Sequence, residues 1–300
     1  MHSDQGAHIS SGNELFIRVS ADKRSVYEQE PILLTYKVFT TQELTQLEGK
    51  MPDLKGFHTQ EIPLPQQKSF HMEQVNGKTY KCVTWSQYVM YPQMTGRLEI
   101  PSITFKGIVV QENKATDPFE AFLNGGSNYT EIRRNIVAPS ISVEVMPLPK
   151  RPDGFSGGVG HFTMQAAVSS PKVKAGEALT LTVTVKGTGN IKLLKQPEVK
   201  MPTSFDQYEP KITDHTQLTE KGLEGSIDYA FTVIPQTPGE FTIPGARFVY
   251  FDTADKEYKT LQTAPVTVTV EKSRGGSSAD NETEMKERDI RDIKTGNANG

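Results

Sequence analysis

Reactive side chains are few in this sequence, and they stand at spacings that favour no familiar chemistry. The six histidines, His2, His8, His58, His71, His161 and His215, form no H-x-H or H-x3-H pair, and no CxxC occurs. Those are the spacings that seat a metal on one element. Cys82 is the single cysteine, so no intrachain disulfide forms. It lies in strand-like sequence beside Lys81, with no nearby histidine, whereas a reactive thiolate needs a helix N-terminus or a cationic pocket. A small buried hydrophobe is the expected role. No G-x-S-x-G, S-x-x-K or H-E-x-x-H occurs. The D-x-x-D of Asp252 and Asp255 lacks the glycine and terminal glutamate of a calcium loop and reads as a solvated turn. GTGN (187–190) follows a strand but leads into more β-type sequence, so it offers no helix N-terminus to a phosphate. The Lys–aromatic mixture TYKCVTW (79–85) has the look of a stacking platform for nucleic acid. Yet 33 Lys+Arg stand against 36 Asp+Glu, a formal charge of −3, so no basic field draws a polyanion. The expectations are no enzyme, no catalytic residue, no cofactor, no metal and no nucleic acid.

The elements that carry these residues repeat. VYEQEPILLTYKV (26–38) aligns without gaps on VKAGEALTLTVTV (173–185), and MPDLK (51–55) on QPEVK (196–200). YPQMTGRLEIP (91–101) aligns on IPQTPGEFTIP (234–244), and APSISVEV (138–145) resembles APVTVTV (264–270). The offset drifts from 147 to 145 to 143 and then falls to 125, so the first copy carries about 18 extra residues (143 − 125). A period this long means one domain type used twice rather than a solenoid. Within each copy, runs such as Leu179, Leu181, Val183, Val185 alternate at period two, the pattern of half-buried strands. Turn signals separate them, among them Asn76-Gly77, a two-residue hairpin of type I′. About seven short strands per copy reads as an immunoglobulin-like sandwich. The fold class is therefore all-β, two tandem immunoglobulin-like sandwiches with a flexible C-terminal tail.

The boundaries follow from composition. Residues 1–14 lack the apolar core of a signal peptide and are expected to be disordered or an appended sequence. The first sandwich spans 15–147, with an insertion at 108–135. A Pro/Gly linker spans 148–160, with any hinge near Gly157-Gly158. The second sandwich spans 161–272, and 273–300 is a flexible tail that adds little stability and leads to a missing C-terminal region. Within the insertion, TDPFEAFL (116–123) predicts a short helix with Thr116 or Asp117 as N-cap and Pro118 in the first turn. Pro92 and Pro235, and likewise Pro101 and Pro244, should occupy equivalent strand ends, because proline cannot donate to a ladder.

One family resemblance rests on particular stretches. GTGNIKLLKQPEVKMP (187–202) with FDQYEPK (205–211) resembles a signature of the BatD, or aerotolerance-operon "oxygen tolerance", family of bacteria. YAFTVIPQTPGEFTIP, MPLP, GGVGHF and the terminal DIRDIKTG are similar to that family in the same order. The resemblance implies a signal peptide and a C-terminal membrane span, neither present in these residues. It also implies a periplasmic protein anchored in the inner membrane, working with von Willebrand A-type and TPR proteins. No catalytic residues come with it. The function expected is a non-enzymatic interaction module supporting aerotolerance or envelope-stress functions. The alternative is a carbohydrate- or surface-binding sandwich of an exported protein. Asp252-Thr253-Ala254 also resembles a short O-glycosylation acceptor of some Bacteroidetes.

The tryptophan supplies the one candidate contact residue. Extending the register of 91–101 on 234–244 backwards pairs Trp85 with Asp228, Tyr88 with Phe231 and Met90 with Val233. Asp228 must face water, since an unpaired buried carboxylate is costly. Strand parity then sends Trp85 and Gln87 outward, and Tyr88 and Met90 inward. In that arrangement Trp85, Lys81 and Val83 form an apolar protein-binding patch. A single β-bulge reverses the parity of Trp85 and sends it to the core.

Overall fold

The structure is a computed structural model, and it describes residues 5–6, 15–112, 118–123 and 128–273. The expected N-caps Thr116 and Asp117, the tail from 274 and most of the first 14 residues lie outside the described residues. The chain divides into two compact units. One holds Met1–Arg151 with Thr188–Asn190 and Gln217–Glu224, and the other holds Pro152–Gly187, Ile191–Thr216 and Gly225–Gly300.

The first half runs β1 (Gln5–Gly6), β2 (Leu15–Ala21), β3 (Ser25–Tyr27), β4 (Ile32–Thr40), β5 (Glu43–Glu48), β6 (Phe57–Glu61), β7 (His71–Val75) and β8 (Lys78–Pro92). It continues with β9 (Gly96–Ile100), β10 (Ile103–Glu112), α1 (Pro118–Leu123), β11 (Tyr129–Ala138) and β12 (Ile141–Met146). One sheet has the order β1-β2-β4-β8-β6, with β7 also on β8; β11-β10-β5 and β3-β12-β9 complete the half. The alternation read from the sequence places Ile17, Ile32, Leu34, Val38, Met90, Ile100 and Val143 in one core, each 0% exposed. Burying one such side chain contributes roughly 1.5–3 kcal/mol.

The second half runs β13 (Phe155–Val168), β14 (Lys172–Lys174), β15 (Leu179–Gly189), a 3-10 turn (Ile191–Leu193), β16 (Phe205–Gln207), β17 (Lys211–Thr219) and β18 (Gly222–Pro235). It ends with β19 (Gly239–Ile243), β20 (Arg247–Asp252), β21 (Glu257–Gln262) and β22 (Val266–Glu271). Its sheets have the orders β16-β18-β15-β13-β20-β21, with β17 also on β18, and β14-β22-β19. The succession β2-β4-β8-β6 therefore recurs as β13-β15-β18-β16, and β3-β12-β9 recurs as β14-β22-β19. Register repeats too: Val26 pairs with Val145 in parallel as Val173 does with Val270. Ile100 faces Ile141 as Ile243 faces Val266. Pro92 and Pro235 each end a strand, and Pro101 and Pro244 each follow one, where no ladder donor is needed.

One expectation changes. The segment expected as linker gives way to strand at Phe155, and Gly157-Gly158 lie within β13 rather than at a hinge. The register slips between Phe155 and Gly158, Gly157 has φ +85°, and the Ser156 hydroxyl donates to the Val249 carbonyl. The glycines thus serve a bulge that lets β13 run parallel to β20. The described part of the first copy's extra sequence lengthens a hairpin: β10 and β11 pair over ten residues, from Ile103↔Ala138 to Glu112↔Tyr129. The matching β20–β21 ladder has six pairs, from Arg247↔Gln262 to Asp252↔Glu257. The helix begins at Pro118 as the sequence suggests.

Candidate functional site

A cleft recurs at the same place in both halves. In each, one long central strand (β8 or β18) receives two partners on one side (β6 and β7, or β16 and β17). The break between those partners leaves a gap, and the chain that follows β5 or the 3-10 turn borders it. Met51 and Tyr88 line the first cleft, and their repeat equivalents Gln196 and Phe231 line the second.

The first cleft holds about 340 Å³ and includes Tyr36, Trp85, Tyr88, Phe105 and Lys68 in its walls. Trp85 enters it because of a bulge. Tyr36 pairs with Ser86 and Lys37 with Thr84, so Trp85 is the unpaired residue between them. The parity argument for an outward Trp85 fails at this residue: the indole is half-buried and packs on the first-half core. Gln87 lies on the opposite face from Met90, as parity requires, but it is buried there rather than turned to water, and it donates to the Thr35 hydroxyl. A bulge strands backbone carbonyls, and here Lys68 takes them up, donating to Trp85 O at 2.8 Å and Thr84 O at 3.4 Å. Its Nζ also sits 5.3 Å from the indole centroid. Burial lowers the Lys68 pKa, opposed by the Glu61 carboxylate. The expected trio is divided: Lys81 is exposed, Trp85 half-buried, and Val83 only 6% exposed within the core. No apolar patch joins them.

The second cleft is wider, about 810 Å³, lined by residues 196–201, 207–210, Phe231 and Val233. Its gap segment is short, Tyr208-Glu209-Pro210, whereas the first half inserts nine residues, 62–70, between β6 and β7. Leu64, Pro65, Gln66 and Lys68 of that longer strap fill space that stays open in the second cleft. Position 228 also differs: where the first half has Trp85, Asp228 accepts from the Thr184 hydroxyl at 2.6 Å and lies 3.2 Å from His215 Nε2. Tyr208 stands at the rim, 56% exposed.

Other residues singled out in the sequence have structural roles. Asp252, 1% exposed, accepts from the backbone N–H of Ala254 and Asp255 and pairs with Lys259 at 3.1 Å and His161 at 3.5 Å. It closes the β20–β21 turn, with those donors occupying the oxygens a cation would need. Burial pushes its carboxyl up, but the Asp255 and Ala254 N–H groups and the Lys259 ammonium outweigh this and hold the pKa below the usual aspartate value. Cys82 is a buried free thiol.

A profile of the BatD DUF11-like domain matches residues 19–121 and again 166–270. The chain belongs to the BatD family. The two matched stretches correspond to the two halves, so each half is one copy of the family domain. No curated protein sequence matches the chain. Among solved structures, an adhesin of Yersinia pseudotuberculosis, InvE, aligns at 11% identity over 84% of this chain and 58% of that one, with a TM-score of 0.22. This chain thus spans little more than half of that protein's length. Within the BatD chain, the GNIKLLKQPEVKMP and FDQYEPK stretches are the ones that border the second cleft, which linear reading did not reveal. No described helix is long and apolar enough to cross a membrane.

Proposed function

We propose that this BatD-family chain is a non-enzymatic interaction module of the bacterial envelope, and that the second cleft receives a protein partner. The observation that carries the reading is the coincidence of the family-like stretches 196–201 and 207–210 with the walls of that open cleft. Tyr208 at its rim, above Phe231 and Val233, supplies an aromatic anchor of the kind interfaces favour. In this reading the full-length protein is periplasmic and anchored in the inner membrane by a C-terminal span. Its partners are von Willebrand A-type and TPR proteins, and the assembly supports aerotolerance or envelope-stress functions. Co-purification from detergent-solubilised envelopes tests it. A von Willebrand A-type protein should co-elute with the wild-type chain and be depleted with Tyr208→Ala. Equal recovery with both would place the contact elsewhere, and no recovery with either would remove the partner assignment.

A further inference from the structure

The outer face of the first-half sheet carries a group of side chains that the docking reading does not use. Residues paired directly across antiparallel strands share a face. The Asn76-Gly77 turn, with φ 51° and 77°, sets the β7–β8 register, so Val75 meets Lys78, Glu73 meets Tyr80 and His71 meets Cys82. On the other side of β8, Phe39 of β4 also pairs with Cys82, and Phe16 of β2 pairs with Phe39. Phe16, Phe39, Tyr80 and Cys82 form a small second core on this face. Cys82 is its polar-capable floor, at 0% exposure, while His71 and Glu73 form an accessible lip, their side chains 54% and 35% exposed.

We propose that His71, Glu73 and Cys82 form a binding site for a borderline divalent cation of the zinc class. The ligand atoms, one from each residue, all lie within 4.8 Å of one another, and this is the one such trio among the described residues. His71 Nε2 and Glu73 Oε1 are 3.2 Å apart. One imidazole nitrogen, one carboxylate oxygen and one sulfur suit zinc rather than magnesium or calcium, which take oxygen ligands. Three protein ligands leave a fourth position facing solvent beside the exposed imidazole. Lys37 Nζ stands 3.8 Å from Glu73 Oε1 and would steady the carboxylate as an outer-shell partner. The charged and titratable groups facing the thiol are Arg18 on β2, Lys37 on β4, Tyr80 on β8, and His71 and Glu73 on β7. Lys37 and Arg18 favour the thiolate form of Cys82.

Without a metal, burial and the Glu73 carboxylate hold the thiol proton, pushing its pKa up to about 12. Binding replaces that proton: the sulfur–hydrogen bond breaks, the sulfur lone pair passes to the cation, and one proton leaves to the buffer per ion bound. No oxidant or reductant takes part.

The test is titration of the full chain with Co2+, a spectroscopic substitute for Zn2+, followed by displacement with Zn2+. Because Cys82 is the single cysteine, a thiolate-to-cobalt charge-transfer absorption reports this residue alone. One equivalent of Co2+ should produce the band and four-coordinate visible absorption, and Zn2+ should abolish both. His71→Ala changes a side chain that is 54% exposed, so its circular dichroism should match wild type. It should lower affinity at least about a hundredfold, beyond the roughly 10–100-fold loss that outer-shell changes cause. Cys82→Ser should lose the band altogether. Absence of a band in the wild-type chain, or an undiminished band in His71→Ala, overturns the proposal.

Discussion

The two clefts are built on the same strands and differ in what fills them. In the first half, a nine-residue strap between β6 and β7 and a bulged Trp85 narrow the cleft, and Lys68 ties strap to bulge through the stranded carbonyls. In the second half, the strap shrinks to residues 208–210, Trp85 is replaced by Asp228, and the cleft more than doubles in volume from about 340 to about 810 Å³. The shared frame is held by buried strands with repeated register. The divergence lies in loop length and one bulge. Loop change on a repeated frame thus leaves one copy's cleft largely filled and the other's open.

The frame should respond alike in both halves. Ile100 and Ile243 end equivalent strands and are each 0% exposed. Ile→Ala at either should cost about 2–5 kcal/mol, as buried truncations do. Urea unfolding, followed by Trp85 emission for the first half and by circular dichroism for the whole chain, checks this. A loss confined to one substitution would break the equivalence.

The hairpin ends should respond differently. Asp252 serves the short β20–β21 turn, whereas its repeat equivalent, Val109, lies inside the longer β10–β11 ladder. Asp252→Ala should therefore destabilise the protein by about 1–3 kcal/mol, the cost of leaving buried donors unmatched. Its folded pKa is lowered, so its contribution is complete above the ordinary aspartate value of about 3.9 and is lost as pH falls through the lowered value. Stability of Asp252→Ala should converge on wild type in that acidic window; a difference that stays constant there would contradict the assignment.

How much of this was legible in the sequence is best seen residue by residue. Alternation located the core strands, because each sheet buries one face continuously, and the four collinear matches located the repeat. The Trp85 bulge was not legible: nothing in KCVTWSQY marks which residue loses its partner, and parity arguments fail at such a point. The 157–158 glycines read as a hinge because glycine serves hinges and bulges alike. The His71–Glu73–Cys82 group was within reach. A two-residue Asn76-Gly77 turn makes paired positions sum to 153 (75 + 78), so His71 must face Cys82 (71 + 82). Scanning for linear metal spacings overlooked it, since the ligands come from two strands.

Smaller effects sharpen the contrast further. Gly77 has φ +77° with open space around it, so Gly77→Val strains the backbone without a clash and should cost about 1–2 kcal/mol. A change below a few tenths in thermal or urea unfolding would mean that the turn relaxes. Lys68→Met removes the ammonium from the bulge carbonyls and the indole face and should cost about 0.5–1 kcal/mol. Trp85 emission should shift to the red as the strap loosens; an unmoved spectrum would show that the strap is held by its prolines and Leu64 alone.

The account turns on the open second cleft being the one that docks a partner. The most direct measurement is the affinity of the full chain for a purified von Willebrand A-type partner, comparing Tyr208→Ala in the second half with Lys68→Met in the first. Tyr208→Ala should weaken binding by at least about tenfold, consistent with an aromatic hot spot, and Lys68→Met should leave it unchanged. Binding lost with Lys68→Met and retained with Tyr208→Ala would contradict the account and move the docking site to the first half.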